Sequence, residues 1–341
     1  MSTMFTMLTL WSAAKYYNSE DNNEAYRWLI LSFFASGLSV GVHLLSILTL
    51  PAIALMIYYK KYREHTIKGA LIAMSLGVAG VMFMLKFIIA GIPALWSKME
   101  IICVNTLGLP VQSGIFPTLL ILIGIGYYSL YYAHKKRNQI IQIAALSAIF
   151  ITIAFSIVGV VVIRANTDTP INMNVPSDPL RLQPYLNREQ YGERPLLSGP
   201  HYAAEPIDVS RTERYGLVGN KYQIVDEKYD YVYASKDKML FPRIGHSDRP
   251  DVHKMWREAL NGKSDGKPTM GYNLQFLTRY QINWMYLRYF MWNFVGRQNF
   301  DQGYYPWDVS KGNWMSGVNA IDESRLYKMD KLPDTMKNDQ S

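Results

Sequence analysis

The side chains best placed for chemistry are polar groups stranded in or beside apolar runs, and their types suit binding more than bond-breaking. His43 is the one readily ionised side chain between Trp28 and Tyr59, in the small-residue break Gly37-Leu38-Ser39-Val40-Gly41-Val42-His43. An imidazole there offers a contact to a phosphate or a hydroxyl. The plainer reading is a neutral histidine capping a helix. Arg164 ends the aliphatic run 140–163. A guanidinium at that position grips a lipid phosphate or pyrophosphate through two parallel hydrogen bonds, or simply anchors a helix end. Arg188, Glu189, Glu193 and Arg194 crowd the segment Asn187 to Pro195. Its arginines suit a phosphate and Glu189 a hydroxyl, while charges this dense also suit a solvated or docking face. Arg288, Arg297 and Asn299, with Asn293, invite the same two readings at the end of an aromatic stretch. Lys86 lies inside the run 69–90. It is roughly 25 Å along a helix begun at Gly69, where snorkelling to headgroups accounts for it.

Other chemistry finds no support. The six His residues are scattered without His-x-x-x-His or Asp-x-Asp spacing, so no metal site is called, and no cofactor either. Cys103 is the only cysteine, which excludes an internal disulfide. No Ser-His-Asp arrangement and no Walker-type glycine loop is present.

The elements that must position these groups are set by hydropathy. Residues 1–164 are dominated by apolar runs, whereas 165–341 are polar and rich in Tyr, Pro, Asn, Asp and Arg. A span needs about 20 apolar helical residues. The stretch Arg27 to Tyr62 is too long for one and reads as a pair, 27–41 and 44–59. Further spans read at 69–90, 114–133 and 140–163, and residues 1–17 read as the last part of another. Asn18 to Ala25 reads as a polar loop, and 91–113 as an outer loop whose middle, Trp96 to Val104, suits a short interfacial helix.

The two basic clusters, 60–68 and 134–137, fall on one side of this arrangement, so that side is cytoplasmic. The break at Gly37–His43 and all of 165–341 then face outward. This topology also absorbs the net charge of +8 without nucleic acid as a partner. The fold class is an α-helical multi-pass membrane bundle, about five spans plus a partial N-terminal one, over 1–164. A small α+β extracytoplasmic module follows at 165–341. In that module a helix is expected around Pro184–Tyr191, and a hairpin over Tyr215 to Val225 turning at Gly219-Asn220. A third strand is expected at Tyr229–Tyr233 and a helix at Asp251–Leu260. An aromatic helix over 272–299, with Leu277, Trp284, Leu287 and Met291 near one face, suits the membrane interface or the end of the bundle.

Several segments taken together resemble a known family. They are Gly37 to Leu45, Val104-Asn105-Thr106-Leu107-Gly108-Leu109-Pro110, Tyr185 to Gly192, Arg288 to Phe294 with Gly296 to Asn299, and Gly312-Asn313-Trp314-Met315-Ser316-Gly317. In this order they are similar to the DUF2723 membrane proteins of Bacteroidetes, relatives of an animal protein O-mannosyltransferase grouped with the GT-C glycosyltransferases. The resemblance runs over most of residues 1–325. It implies transfer of a sugar from a polyprenyl-phosphate donor to Ser or Thr of an exported protein, by direct displacement at the outer face of the inner membrane. It implies as partners the lipid bilayer, the lipid-linked donor and the exported acceptor. The family's catalytic acid lies in a motif like Asp-Cys-Gly-Glu or Asp-Ser-Gly-Glu, needed to take the acceptor proton. This sequence has no such motif. It is therefore expected to be a fragment lacking the N-terminal spans and C-terminal region, with a separately encoded N-terminal half as a candidate partner. The alternative is a non-catalytic membrane scaffold or partner subunit. A transporter is disfavoured, because the spans carry almost no ionisable side chains to line a path.

Overall fold

The computed structural model describes residues 1–167, 169–191, 195, 197–243, 254–255, 267–298, 300–303, 311–326, 328 and 331. By their internal contacts the residues divide into two units, Met1–Gly192 with Glu213–Lys228, and Glu193–Thr212 with Tyr229–Ser341.

The first unit is helical. Helix α1 (Ser2–Asn18) packs on α2 (Asn22–Ser39), with Trp11 and Trp28 edge to face at 5.2 Å. The polar loop between them is only three residues long, shorter than the expected Asn18–Ala25. Asp21 caps α2 by accepting from the Asn23 N–H at 2.9 Å, so the helix starts at once. After the break, a 3-10 turn (Leu44–Thr49) leads into α3 (Leu50–Lys61). Lys60 Nζ donates to the carbonyls of Tyr16 and Ser19, tying the end of α3 to the end of α1.

Helix α4 (Ile67–Phe83) widens into a π-type segment (Met84–Ile89) and continues after Ala90 as α5 (Gly91–Ile101) and a second wide segment (Ile102–Thr106). The outer loop expected from Gly91 is therefore helical as far as Thr106. Pro93 does not break the helix, because it sits in the first turn of α5, where a missing N–H removes no intrahelical bond. Helices α6 (Ile115–Lys135) and α7 (Gln139–Phe155) follow. A short 3-10 turn then leads into α8 (Gly159–Ala165).

Among the described residues, four helices are long and apolar enough to cross a membrane: Leu44–Lys61, Ile67–Thr106, Ile115–Lys135 and Gln139–Ala165. Helix α2 is not among them; its first two turns carry Asn22, Asn23, Glu24 and Arg27. The core joins α1, α2, α3, α4 and α7 through Leu29, Ile47, Ile53, Val81, Met84 and Phe155.

Helices α2 and α7 run parallel. Phe34 meets Phe150 at 6.2 Å, and Gly37 lies so close to Ile151 and Ala154 that a Cβ there would stand 2.8 Å from the Ala154 methyl. One turn on, Gly41 meets Ile157. Asn22 therefore lies at the same end as Gln139. Both basic clusters gather at this end, and the break at 37–43 lies at the other with Arg164.

Past α8 the chain folds back: Asn166 Nδ2 donates to the Ser177 carbonyl at 2.7 Å, and Asp178 caps α9 (Pro179–Leu186). This helix begins at Pro179, five residues before the expected start, because Asp178 caps it and Pro179 fits its first position. A 3-10 turn at Glu189–Tyr191 follows.

Strands β2 (Pro206–Val218) and β3 (Lys221–Tyr233) form the expected hairpin, turning at Gly219 with φ +62°. The third strand expected at Tyr229–Tyr233 is the second half of β3, since no turn residue interrupts Lys221 to Tyr233.

The second unit contains the antiparallel pair β1 (Ser198–Pro200) and β4 (Lys238–Leu240). The aromatic helix follows, made of α10 (Met270–Gln275), a wide segment (Phe276–Arg288) and α11 (Tyr289–Phe294). Its buried line is Phe276, Arg288 and Trp292, with Tyr280 and Trp284 partly buried between them. This is a different face from the one expected through Leu277 and Leu287, because the wide turns change the helical period. Helix α12 (Asn319–Arg325) carries a fully buried Asp322, which accepts from the N–H groups of Ser316 and Gly317 and from the Ser316 hydroxyl. The helix expected at Asp251–Leu260 lies outside the described residues.

Candidate functional site

The end of the first unit away from the basic clusters holds a buried polar cluster. At its centre is Glu100, fully buried on α5. Its carboxylate accepts from the Gln112 N–H at 2.5 Å, the Gly114 N–H at 2.8 Å and the Tyr222 hydroxyl at 3.3 Å. The hairpin tip reaches this point through Asn105, which acts like a strand edge. Its side-chain oxygen accepts from the Tyr222 N–H at 2.9 Å and its amide donates to the Tyr222 carbonyl at 2.8 Å. Burial, the nearby Asp178 and Glu100 carboxylates and the hydrogen bond to Glu100 push the Tyr222 phenol far above its ordinary value. Tyr222 is therefore a fixed neutral donor. Ser97, on the turn of α5 before Glu100, donates to the Pro93 and Pro179 carbonyls and joins α5 to α9.

Four of the groups singled out from sequence also lie at this end. His43 is exposed and caps the 3-10 turn at Leu44, its Nδ1 accepting from the Leu45 N–H at 3.1 Å. That bond leaves Nε2 as the protonated nitrogen of the neutral ring. Arg164 is exposed at the end of α8. Arg188 is exposed and held at φ +57° between α9 and the next turn. Glu189 accepts from Arg214 Nη2 on β2 at 2.8 Å, and Arg214 also reaches Asp226 on β3 at 3.8 Å. Glu189 thus binds the hairpin tip, which is the docking reading of the Asn187–Pro195 segment. Glu193 and Arg194 lie outside the described residues.

The remaining candidates belong to the second unit. Arg288 is buried, stacks on Trp284 at 4.4 Å and donates to the Gly312 and Trp284 carbonyls, each at 3.0 Å. Burial lowers its guanidinium from the ordinary value. Arg297 stacks on Trp292 at 3.9 Å and donates to Asn293 Oδ1 at 3.1 Å. Both arginines organise aromatic side chains. Asn299 lies outside the described residues. Lys86 is exposed in the wide turn after α4.

Glu100 was not singled out from sequence, yet one signal pointed to it: it is the only carboxylate between Glu64 and Asp168. Among the described residues no group of three or more His, Cys, Asp or Glu could hold a metal ion. The cavity between α3 and α4, about 330 Å³ and lined by Leu55, Tyr59, His65 and Leu71, lies at the opposite, basic end.

The profile of the protein O-mannosyl-transferase TMEM260 N-terminal domain matches residues 1–66, and that of a family of unknown function, DUF8416, matches residues 192–278. No curated protein and no solved structure gives a match. Residues 1–66, which include α1, α2, the break at His43 and α3, thus resemble the N-terminal domain of a protein O-mannosyltransferase, in a chain whose described residues include four helices long and apolar enough to cross a membrane.

Proposed function

We propose that the chain is the membrane-embedded part of a GT-C-like glycosyltransferase, transferring a sugar from a polyprenyl-phosphate carrier to Ser or Thr of exported proteins. The observation that carries this reading is the match of residues 1–66 to a protein O-mannosyltransferase domain. The geometry supports it. His43, inside the matched segment, and Arg164 are exposed at one end of the bundle, away from Lys60, Lys61 and the cluster at 134–137. By the positive-inside rule that end faces the periplasm, where a lipid-linked sugar meets an exported acceptor. Arg164 holds the donor phosphate, and the Nε2–H of His43 contacts phosphate or acceptor.

Direct displacement requires a carboxylate to take the acceptor proton as the hydroxyl attacks the anomeric carbon. Glu100 has three donors on its carboxylate and Glu189 is paired with Arg214. We propose that neither acts as the base, and that a partner polypeptide supplies the carboxylate. The same bonded carboxylates favour the second reading, a non-catalytic scaffold subunit.

Donor capture separates the two readings. The full chain in proteoliposomes is exposed to a photoactivatable polyprenyl-phosphate mannose. Capture should fall roughly tenfold or more in Arg164→Gln, the loss of a bidentate charge-assisted contact. Capture that is absent, or that survives the substitution unchanged, leaves the scaffold reading.

A further inference from the structure

The aromatic helix of the second unit presents a second line of side chains, opposite in character to its buried one. Ile282, Tyr286, Phe290 and Phe294 follow one another at four-residue spacing, and all are exposed. Tyr286 stacks on Phe290 at 6.3 Å, and Phe290 meets Phe294 at 4.9 Å with the rings tilted by 37°. Phe294 is 75% exposed, Tyr286 64%, and Met285 beside them 54%. Water is a poor solvent for such a ladder.

The helix and its immediate flanks carry charge of one sign, with Asp301 just beyond them. From Lys267 to Phe300 the chain carries Lys267, Arg279, Arg288 and Arg297 and no Asp or Glu. Lys267, Arg279 and Arg297 are exposed, and Arg288 lies on the buried line. Stacked apolar rings with flanking cations match the boundary between anionic headgroups and acyl chains, where rings are buried and cations stay with phosphates. A bilayer is at hand, since the same chain carries four helices long and apolar enough to cross one.

We propose that the aromatic helix is a peripheral membrane anchor, with Ile282, Met285, Tyr286, Phe290 and Phe294 seated in an anionic lipid leaflet. The inference requires only that the first unit spans a bilayer, and it stands independently of sugar transfer. The aromatic rings lie against the acyl chains, and the exposed Arg279 meets lipid phosphates.

The test uses the full chain, with Cys103 replaced by Ser, in nanodiscs containing phosphatidylglycerol. Nitroxides are attached singly in Tyr286→Cys, Phe290→Cys and Phe294→Cys, and in Ser324→Cys as an exposed control on α12. Their collision rates with oxygen and with a water-soluble nickel chelate are compared. The oxygen-to-nickel ratio at 286, 290 and 294 should exceed that at 324 roughly fivefold or more. It should fall in discs of phosphatidylcholine alone. Nickel access equal to that at 324 would place the ladder in water. Exclusion of both reagents would place it under protein. Either result overturns the proposal, and a ratio indifferent to lipid charge overturns the anionic leaflet.

Discussion

Glu100 shows how much one residue can settle that spacing cannot. A carboxyl group at full burial is costly unless its oxygens are bonded, and here two N–H groups and a phenol bond them. Removing the carboxylate in Glu100→Ala strands all three donors. The expected loss is roughly 3 kcal/mol or more, read as a lower midpoint in detergent-titrated unfolding. A midpoint unchanged from the parent would show that the cluster carries no stability. Glu100 was visible as the lone acid of a long apolar stretch, but its partners were not: Gly114 is 14 residues away and Tyr222 122. The same distance problem hid the Glu189–Arg214 pair, 25 residues apart, so a docking contact and an open binding group looked alike in sequence. For His43, the cap on Leu45 is a local contact and the sequence already suggested it.

At the scale of elements, the helices were legible wherever an apolar run was bounded by polar groups, as at Arg164 and Lys135. Errors came where a breaker was read without its position in the turn. Residues 91–113 read as an outer loop, yet Pro93 sits in the first turn of α5, where it breaks no intrahelical bond. The break at 37–43 was legible as small residues, and the structure adds its purpose: Gly37 lets α2 meet the backbone of α7 at Ile151. A larger side chain there must push the two helices apart. Gly37→Leu is expected to destabilise the bundle by roughly 1–3 kcal/mol, while Ser156→Leu, on the exposed side of the turn after α7, should be near neutral. Thermal unfolding of the purified protein in detergent reads both. Equal midpoints for the two variants would deny that α2 and α7 meet closely at Gly37.

At the scale of the whole molecule, both basic clusters gather at one end of the first unit, an arrangement that the sidedness read from sequence requires. The sequence could not supply which helices pair, because the lipid-facing and buried sides of these runs are almost equally apolar. Helix α6 is the extreme case, with Phe116, Leu120, Ile123 and Tyr127 all exposed. Orientation has its own check. Ser198 is exposed, and Ser198→Cys in a Cys103→Ser background should react with a membrane-impermeant maleimide added from the periplasmic side. Labelling only from the cytoplasmic side would invert the topology.

Sugar transfer itself is the most direct test of the central claim. The full chain would be reconstituted with a polypeptide carrying the Asp/Glu motif that this sequence lacks, then supplied with radiolabelled polyprenyl-phosphate mannose and a Ser/Thr-rich acceptor peptide. The account expects label on the peptide only when both polypeptides are present, and a drop of roughly tenfold or more with Arg164→Gln. Transfer by the motif-bearing polypeptide at the same rate with this chain omitted would contradict it.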